Sequence, residues 1–98
     1  METTLTNSPI VGKTACGQDI KAYATGGFLI GKARIGKSVA FGIRYALSKG
    51  LEIKGGRCWS CGAEDGVYQT ASQRLGEELA RITYTCSKCG ARDTDMLD

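Results

Sequence analysis

Cys58-Trp59-Ser60-Cys61-Gly62 and Cys86-Ser87-Lys88-Cys89-Gly90 are two copies of one pattern, C-x-x-C-G, with 24 residues between Cys61 and Cys86. A two-residue gap lets both sulfurs of a tight turn reach one ion at about 2.3 Å, and two such turns complete a tetrahedron. The glycine that follows each pair tolerates positive φ, which keeps the backbone amides of the turn aimed at the sulfurs. Four thiolates leave no coordination position for water. The spacing therefore predicts one structural Zn²⁺ held by Cys58, Cys61, Cys86 and Cys89, not a hydrolytic centre.

The rest of the composition makes such a staple useful. A chain of 98 residues, 42% hydrophobic and 23% charged, with 14 glycines and 7% aromatic residues, has few large side chains to bury. A domain of this size has a large surface for its volume and gains from a metal, a disulfide or a partner. A multidomain enzyme is excluded by length. Met1 to Gly17 has neither the basic start nor the apolar run of a secretory signal, and no apolar stretch approaches the ~20 residues of a membrane span. This reading places the chain in the cytoplasm, where paired cysteines serve as metal ligands more often than as disulfides. An iron ion on the same four sulfurs is an alternative occupant. Thioredoxin-like chemistry fits less well, since it needs one motif at a helix start in a larger α/β fold. Cys16 is left over as an unpaired fifth cysteine.

From Cys58 to Arg92 the chain resembles a zinc ribbon, a small β-sheet clamped by two knuckles and common in transcription and RNA-processing proteins. Gln69-Thr70-Ala71-Ser72 and the stretch from Ile82 to Gly90 resemble the C-terminal ribbon of transcript-cleavage elongation factors. That family carries an Asp-Glu pair directly after the serine, whereas here Gln73 to Gly76 intervene before Glu77 and Glu78. The resemblance implies a mainly β fold and a nucleic-acid-processing assembly as partner. It covers about a third of the chain, and residues 1–57 resemble no family.

Residue patterns fill in the elements. Val67 to Ser72 and Ala80 to Cys86 read as strands joined through Gly76, Glu77 and Glu78, with a helix over 73–82 as the competing reading. Val39, Phe41, Ile43, Tyr45 and Leu47 alternate with smaller or polar residues, which favours a strand over 39–48, with Phe28 and Phe41 in the core. The competing reading is a helix capped by Ser38 that presents Val39, Ile43, Ala46 and Leu47. Gly55-Gly56 reads as a turn or hinge, Met1 to Ser8 as a loose terminus, and 93–98 as an acidic tail without a pattern. The expected organisation is a small mainly β or α+β protein: a basic, glycine-rich N-terminal region over 1–57 packed on a ribbon over 58–92.

Charge is distributed unevenly along the chain. Residues 1–57 hold nine basic and three acidic residues, and residues 58–98 hold four and seven. Lys32, Arg34, Lys37, Arg44, Lys49, Lys54 and Arg57 are interleaved with Phe28, Phe41, Tyr45 and Trp59, a combination suited to nucleic acid, where charge supplies affinity and rings stack on bases. These seven cations are the candidate nucleic-acid contacts. An adaptor or inhibitor working only through protein contacts is the alternative. Gly31-Lys32-Ala33-Arg34-Ile35-Gly36-Lys37-Ser38 also satisfies G-x-x-x-x-G-K-[ST], the phosphate-loop pattern. No apolar strand ending in a metal-binding Asp follows it, so the sequence favours a non-catalytic protein.

Overall fold

The computed structural model describes residues 9–97; the expectation for Met1 to Ser8 lies outside them. The fold is mainly β. Strands β1 (Ile10–Lys13), β2 (Asp19–Ala22), β3 (Phe28–Ile30) and β4 (Ala33–Ile35) form an antiparallel meander in that order. A 3-10 turn, Lys37–Val39, leads into one helix, α1 (Phe41–Lys49). Strands β5 (Val67–Arg74), β6 (Ala80–Cys86) and β7 (Arg92–Leu97) make a second antiparallel sheet in the order β5-β6-β7. No helix among the described residues is long and apolar enough to cross a membrane.

One small core holds the first sheet against α1. Ile30 of β3 and Ala33 and Ile35 of β4 point inward, while the cross-strand pair Leu29 and Arg34 points the other way, as the two-residue period requires. Ile20, Phe28, Ile30, Ile35, Ala40 and Ile53 are buried there with Tyr68, which the second sheet contributes. Complete burial of an isoleucine stabilises by about 1.5–3 kcal/mol, and Ile20, Ile30 and Ile35 are the largest apolar side chains to reach it.

The strand expected over 39–48 is a helix instead. Val39, Ile43, Ala46 and Leu47, spaced i, i+4, i+7 and i+8, pack against the core. Gly50 at φ 69° ends α1, and the Leu51 amide reaches back to the Ala46 carbonyl at 2.9 Å. Ala40, not Ser38, is the N-cap, and no side chain caps it. The alternation that suggested a strand would have buried Phe41 and Tyr45. In the helix these rings face out, 67% and 59% exposed, so Phe28 is core as expected and Phe41 is not. The segment from 73 to 82, by contrast, is strand on both sides of a turn in which the Leu75 amide bonds the Leu79 carbonyl at 2.9 Å.

The expected patternless tail also proves ordered. Arg92–Leu97 pairs along β6 from Thr85↔Arg92 to Ala80↔Leu97. An edge strand exposed on both faces carries no apolar alternation, which hides it from a hydrophobic reading.

Three joints fix the two sheets together. The pairing of β5 with β6 skips from Gln69 to Ala71, leaving Thr70 as a bulge, and the free Thr70 carbonyl accepts the Gly36 amide at 2.9 Å. The β3–β4 turn lies against the second knuckle: the Lys32 amide donates to the Ser87 carbonyl at 2.8 Å, and a Cβ on Gly31 (φ 54°) would sit 2.3 Å from that oxygen. Ser87 Oγ donates to Gln18 Oε1 at 2.6 Å. Third, buried Asp65 accepts from the amides of Gly55 and Cys16 and from Tyr68 Oη. With Gly56 bridged to Val67, the expected hinge at Gly55-Gly56 is a pinned junction.

Two glycines should respond in opposite directions. Gly31→Ala combines positive φ with a backbone collision and should cost at least about 2 kcal/mol, whereas Gly42→Ala, in the helix with nothing within 4 Å of its added Cβ, should stabilise by about 0.5–1 kcal/mol. Urea denaturation measures both; an unchanged midpoint for Gly31→Ala would contradict the joint at Ser87.

Candidate functional site

The two cysteine motifs fold into turns that match bond for bond. In the first, the Gly62 amide reaches the Cys58 carbonyl at 3.2 Å, the Cys58 amide reaches the Ala63 carbonyl at 2.8 Å, and the amides of Ser60 and Cys61 point at Cys58 Sγ, both at 3.3 Å. In the second, Gly90 to Cys86 is 3.0 Å, Cys86 to Ala91 is 2.8 Å, and the amides of Lys88 and Cys89 point at Cys86 Sγ from 3.4 and 3.5 Å. Gly62 and Gly90 take φ of 77° and 83°. This is the positive-φ role expected of the glycine in each motif.

Between the turns, the four sulfurs converge. All lie within 4.8 Å of one another, with Cys58 to Cys89 at 3.6 Å and Cys61 to Cys86 at 3.8 Å. Sulfurs about 2.3 Å from one tetrahedral ion are separated by about 3.8 Å, so the cluster has the dimensions to hold one metal ion. All five cysteines are free thiols. Cys58 and Cys86 are buried, while Cys61 and Cys89 are exposed. Cys16 is not part of the cluster; its sulfur lies 3.4 Å from Thr14 Oγ1.

The amide dipoles prepare particular sulfurs for ionisation. Donation from the Cys61 amide, opposed by burial and helped by Ser60, brings Cys58 down to about 6. Cys86 is also lowered, with burial working against it and the amides of Cys89 and Lys88 prevailing. Cys61 moves the other way, to about 11: the Ala63 amide favours its thiolate, but burial and the thiols of Cys58, Cys89 and Cys86 outweigh it. Both lowered sulfurs, Cys58 and Cys86, are the ones that receive two amides, consistent with N–H···S donation to a ligand sulfur.

The seven predicted cations sit in different surroundings. Arg44 donates to the Gly26 carbonyl at 3.0 Å, the Lys37 side chain lies over Gly26, and Lys49 sits 6.0 Å from the centre of the Tyr45 ring. Lys54 and Arg57 are exposed along the connection into the first knuckle. Lys32 and Arg34 do converge. They line a cleft of about 600 Å³ between the two sheets, facing Thr70, Ala71, Thr83, Thr85, Gly90 and Arg92. Arg92 was missed because it lies in the acidic half of the chain, at the edge of the expected tail. Strand alternation separates that segment's charges: Arg92 and Thr94 pair with Thr85 and Thr83 on the cleft face, and Asp93 and Asp95 fall on the opposite face. No carboxylate lines the cleft among the described residues.

The phosphate-loop pattern does not build a phosphate loop. Ala33–Ile35 is strand β4, paired antiparallel with β3, and the amides of Lys32 and Gly36 are committed to the carbonyls of Ser87 and Thr70. From Lys32 to Gly36 the pattern is thus taken up by a strand and its flanking backbone bonds, not by the open run of amides that cradles phosphates. Trp59 in the first knuckle is 52% exposed, and Glu77 and Glu78 are exposed at the β5–β6 turn.

Comparison of the chain with protein-family models, with curated proteins and with solved structures finds no match.

Two predictions concern this end of the molecule. Cys61→Ser or Cys86→Ser leaves three thiolates that cannot close the tetrahedron, so β5–β7 should lose its cooperative melt and native mass spectrometry should no longer find one bound metal per chain. An unaltered melt would contradict the role assigned to the cluster. Asp65 is held below the ordinary carboxylate range: burial opposes ionisation, but donation from Gly55, Tyr68 and Cys16 prevails. A lowered folded-state value means stability that is present above about pH 4 and is lost as pH falls through the folded-state value. The stability gap between wild type and Asp65→Asn should therefore narrow on acidification below about pH 4, as read by urea midpoints.

Proposed function

We propose that the chain is a zinc-ribbon protein that binds nucleic acid without catalysing a reaction on it. Zinc is the metal that the donor set favours, since four thiolates in a closed tetrahedron suit a d¹⁰ ion with no open position. The two matched knuckles with a three-stranded sheet attached support the ribbon reading. The observation that carries nucleic-acid binding is the cleft itself. Lys32, Arg34 and Arg92 approach it from three different strands or turns, with threonines between them and no carboxylate lining it. Cations gathered in this way attract phosphates, and hydroxyls supply further hydrogen bonds to a phosphate or sugar.

The alternative, a partner protein bound through its own contacts, draws on α1, where Phe41 and Tyr45 stand exposed beside Arg44. Salt separates the two readings. Fluorescence anisotropy with a mixed-sequence oligonucleotide should give an affinity that falls steeply between 50 and 200 mM salt, by about 0.7–0.9 in log-log slope per phosphate neutralised. Replacing Lys32, Arg34 and Arg92 together by glutamine should weaken binding by at least about tenfold and flatten that slope. A salt-insensitive complex with a protein, and no oligonucleotide binding, would favour the adaptor.

A further inference from the structure

We infer that the cleft between the sheets takes a single strand of nucleic acid and not a duplex, a conclusion that rests on the nucleic-acid reading above. Three features of the cleft carry it. The first is shape. The cations sit on the walls of a recess of about 600 Å³, whereas the phosphates of a duplex lie on the outside of a rigid cylinder and meet raised surfaces. A flexible single strand can lay its backbone into such a recess.

The second feature is the lack of an element suited to enter a groove. A duplex is read by a helix or a two-stranded ribbon placed in the major groove, about 12 Å wide. The helix α1 contributes no residue to the cleft. The ribbon formed by β5 and β6 ends in exposed Glu77 and Glu78, which phosphates on both sides of a groove would repel.

The third is a flat surface beside the cations. The Arg34 guanidinium lies over the Tyr23 ring, 4.9 Å from its centre. A guanidinium on an aromatic ring forms a layered planar platform of the kind on which unpaired bases stack, and stacking requires bases that are not already paired. Arg34 therefore contributes twice, as a charge toward the backbone and as part of this platform. Lys32 and Arg92 supply charge alone. Thr70, Thr83 and Thr85 line the cleft between the cations, with the Thr70 and Thr85 hydroxyls 2.9 Å apart.

Binding of the full-length, zinc-loaded chain to a 12-nucleotide single strand, as DNA or as RNA, is compared with binding to a 12-base-pair duplex at one salt concentration. The single strand should bind at least about tenfold more tightly. Arg34→Gln and Arg92→Gln should each weaken it about tenfold and lower the salt slope by about 0.7. Arg34→Lys keeps the charge but not the plane, and should still lose severalfold in affinity, as should Tyr23→Phe far less than Tyr23→Ala. Arg74→Gln with Arg81→Gln, both exposed and outside the cleft, should stay within about twofold. Circular dichroism melting and zinc content confirm that each variant is folded. Duplex binding equal to or tighter than the single strand would overturn the inference while leaving nucleic-acid binding intact. So would cleft variants no weaker than the Arg74/Arg81 control, or competition by inorganic phosphate as effective per phosphate as the oligonucleotide. No binding to either nucleic acid at 50 mM salt would instead remove the functional reading on which it rests.

Discussion

Convergence of four sulfurs from two separate turns is the constraint on which the rest of this fold depends. The β5–β7 sheet buries few large apolar side chains: among the described residues they are Ile82, Tyr68 and Cys86. A sheet so thinly buried gains little from the hydrophobic effect, so a metal clamping the end where the chain enters β5 and passes from β6 to β7 can contribute free energy as large as the stability of a typical domain. The knuckles are preorganised for that role, since each directs two amides at its first cysteine and closes on a glycine. The backbone favours the thiolates of Cys58 and Cys86 before any ion arrives.

The metal end and the basic end are not independent modules. Ser87 lies inside the second knuckle, yet its carbonyl receives the Lys32 amide and its hydroxyl bonds Gln18, both in the N-terminal region. Asp65 joins Cys16, 49 residues away, to Gly55 and Tyr68 through a single carboxylate. Such buried polar joints favour one relative placement of the sheets, because moving either sheet would leave a desolvated charge or carbonyl without its partner. The cleft is thus set by hydrogen bonds more than by apolar packing.

Much of this was legible in the sequence, and the gaps have physical causes. The cysteine spacing, the β5–β6 pair and the mainly β class all follow from local pattern. The helix α1 did not, because Val39 to Leu47 fits both periods, and only its packing on the first sheet, with a left-handed stop at Gly50, decides between them. Strand β7 was invisible for a related reason: its side chains alternate in charge and not in hydropathy. Of the seven cations singled out, Lys32 and Arg34 meet. Their third companion, Arg92, lies in the half of the chain with net negative charge, and only strand pairing brings it across.

The way β7 divides its charges has a consequence for how the C-terminus can vary. Arg92, Asp93, Thr94 and Asp95 are nearly neutral in sum, yet each sign faces a different side of the sheet. One uncharged residue inserted between Ala91 and Arg92 would leave the net charge unchanged while turning the aspartates toward Lys32 and Arg34. The segment can thus drift freely in the identity of its outward residues but is frozen in its parity. Counting from Cys89 matters more there than chemistry does.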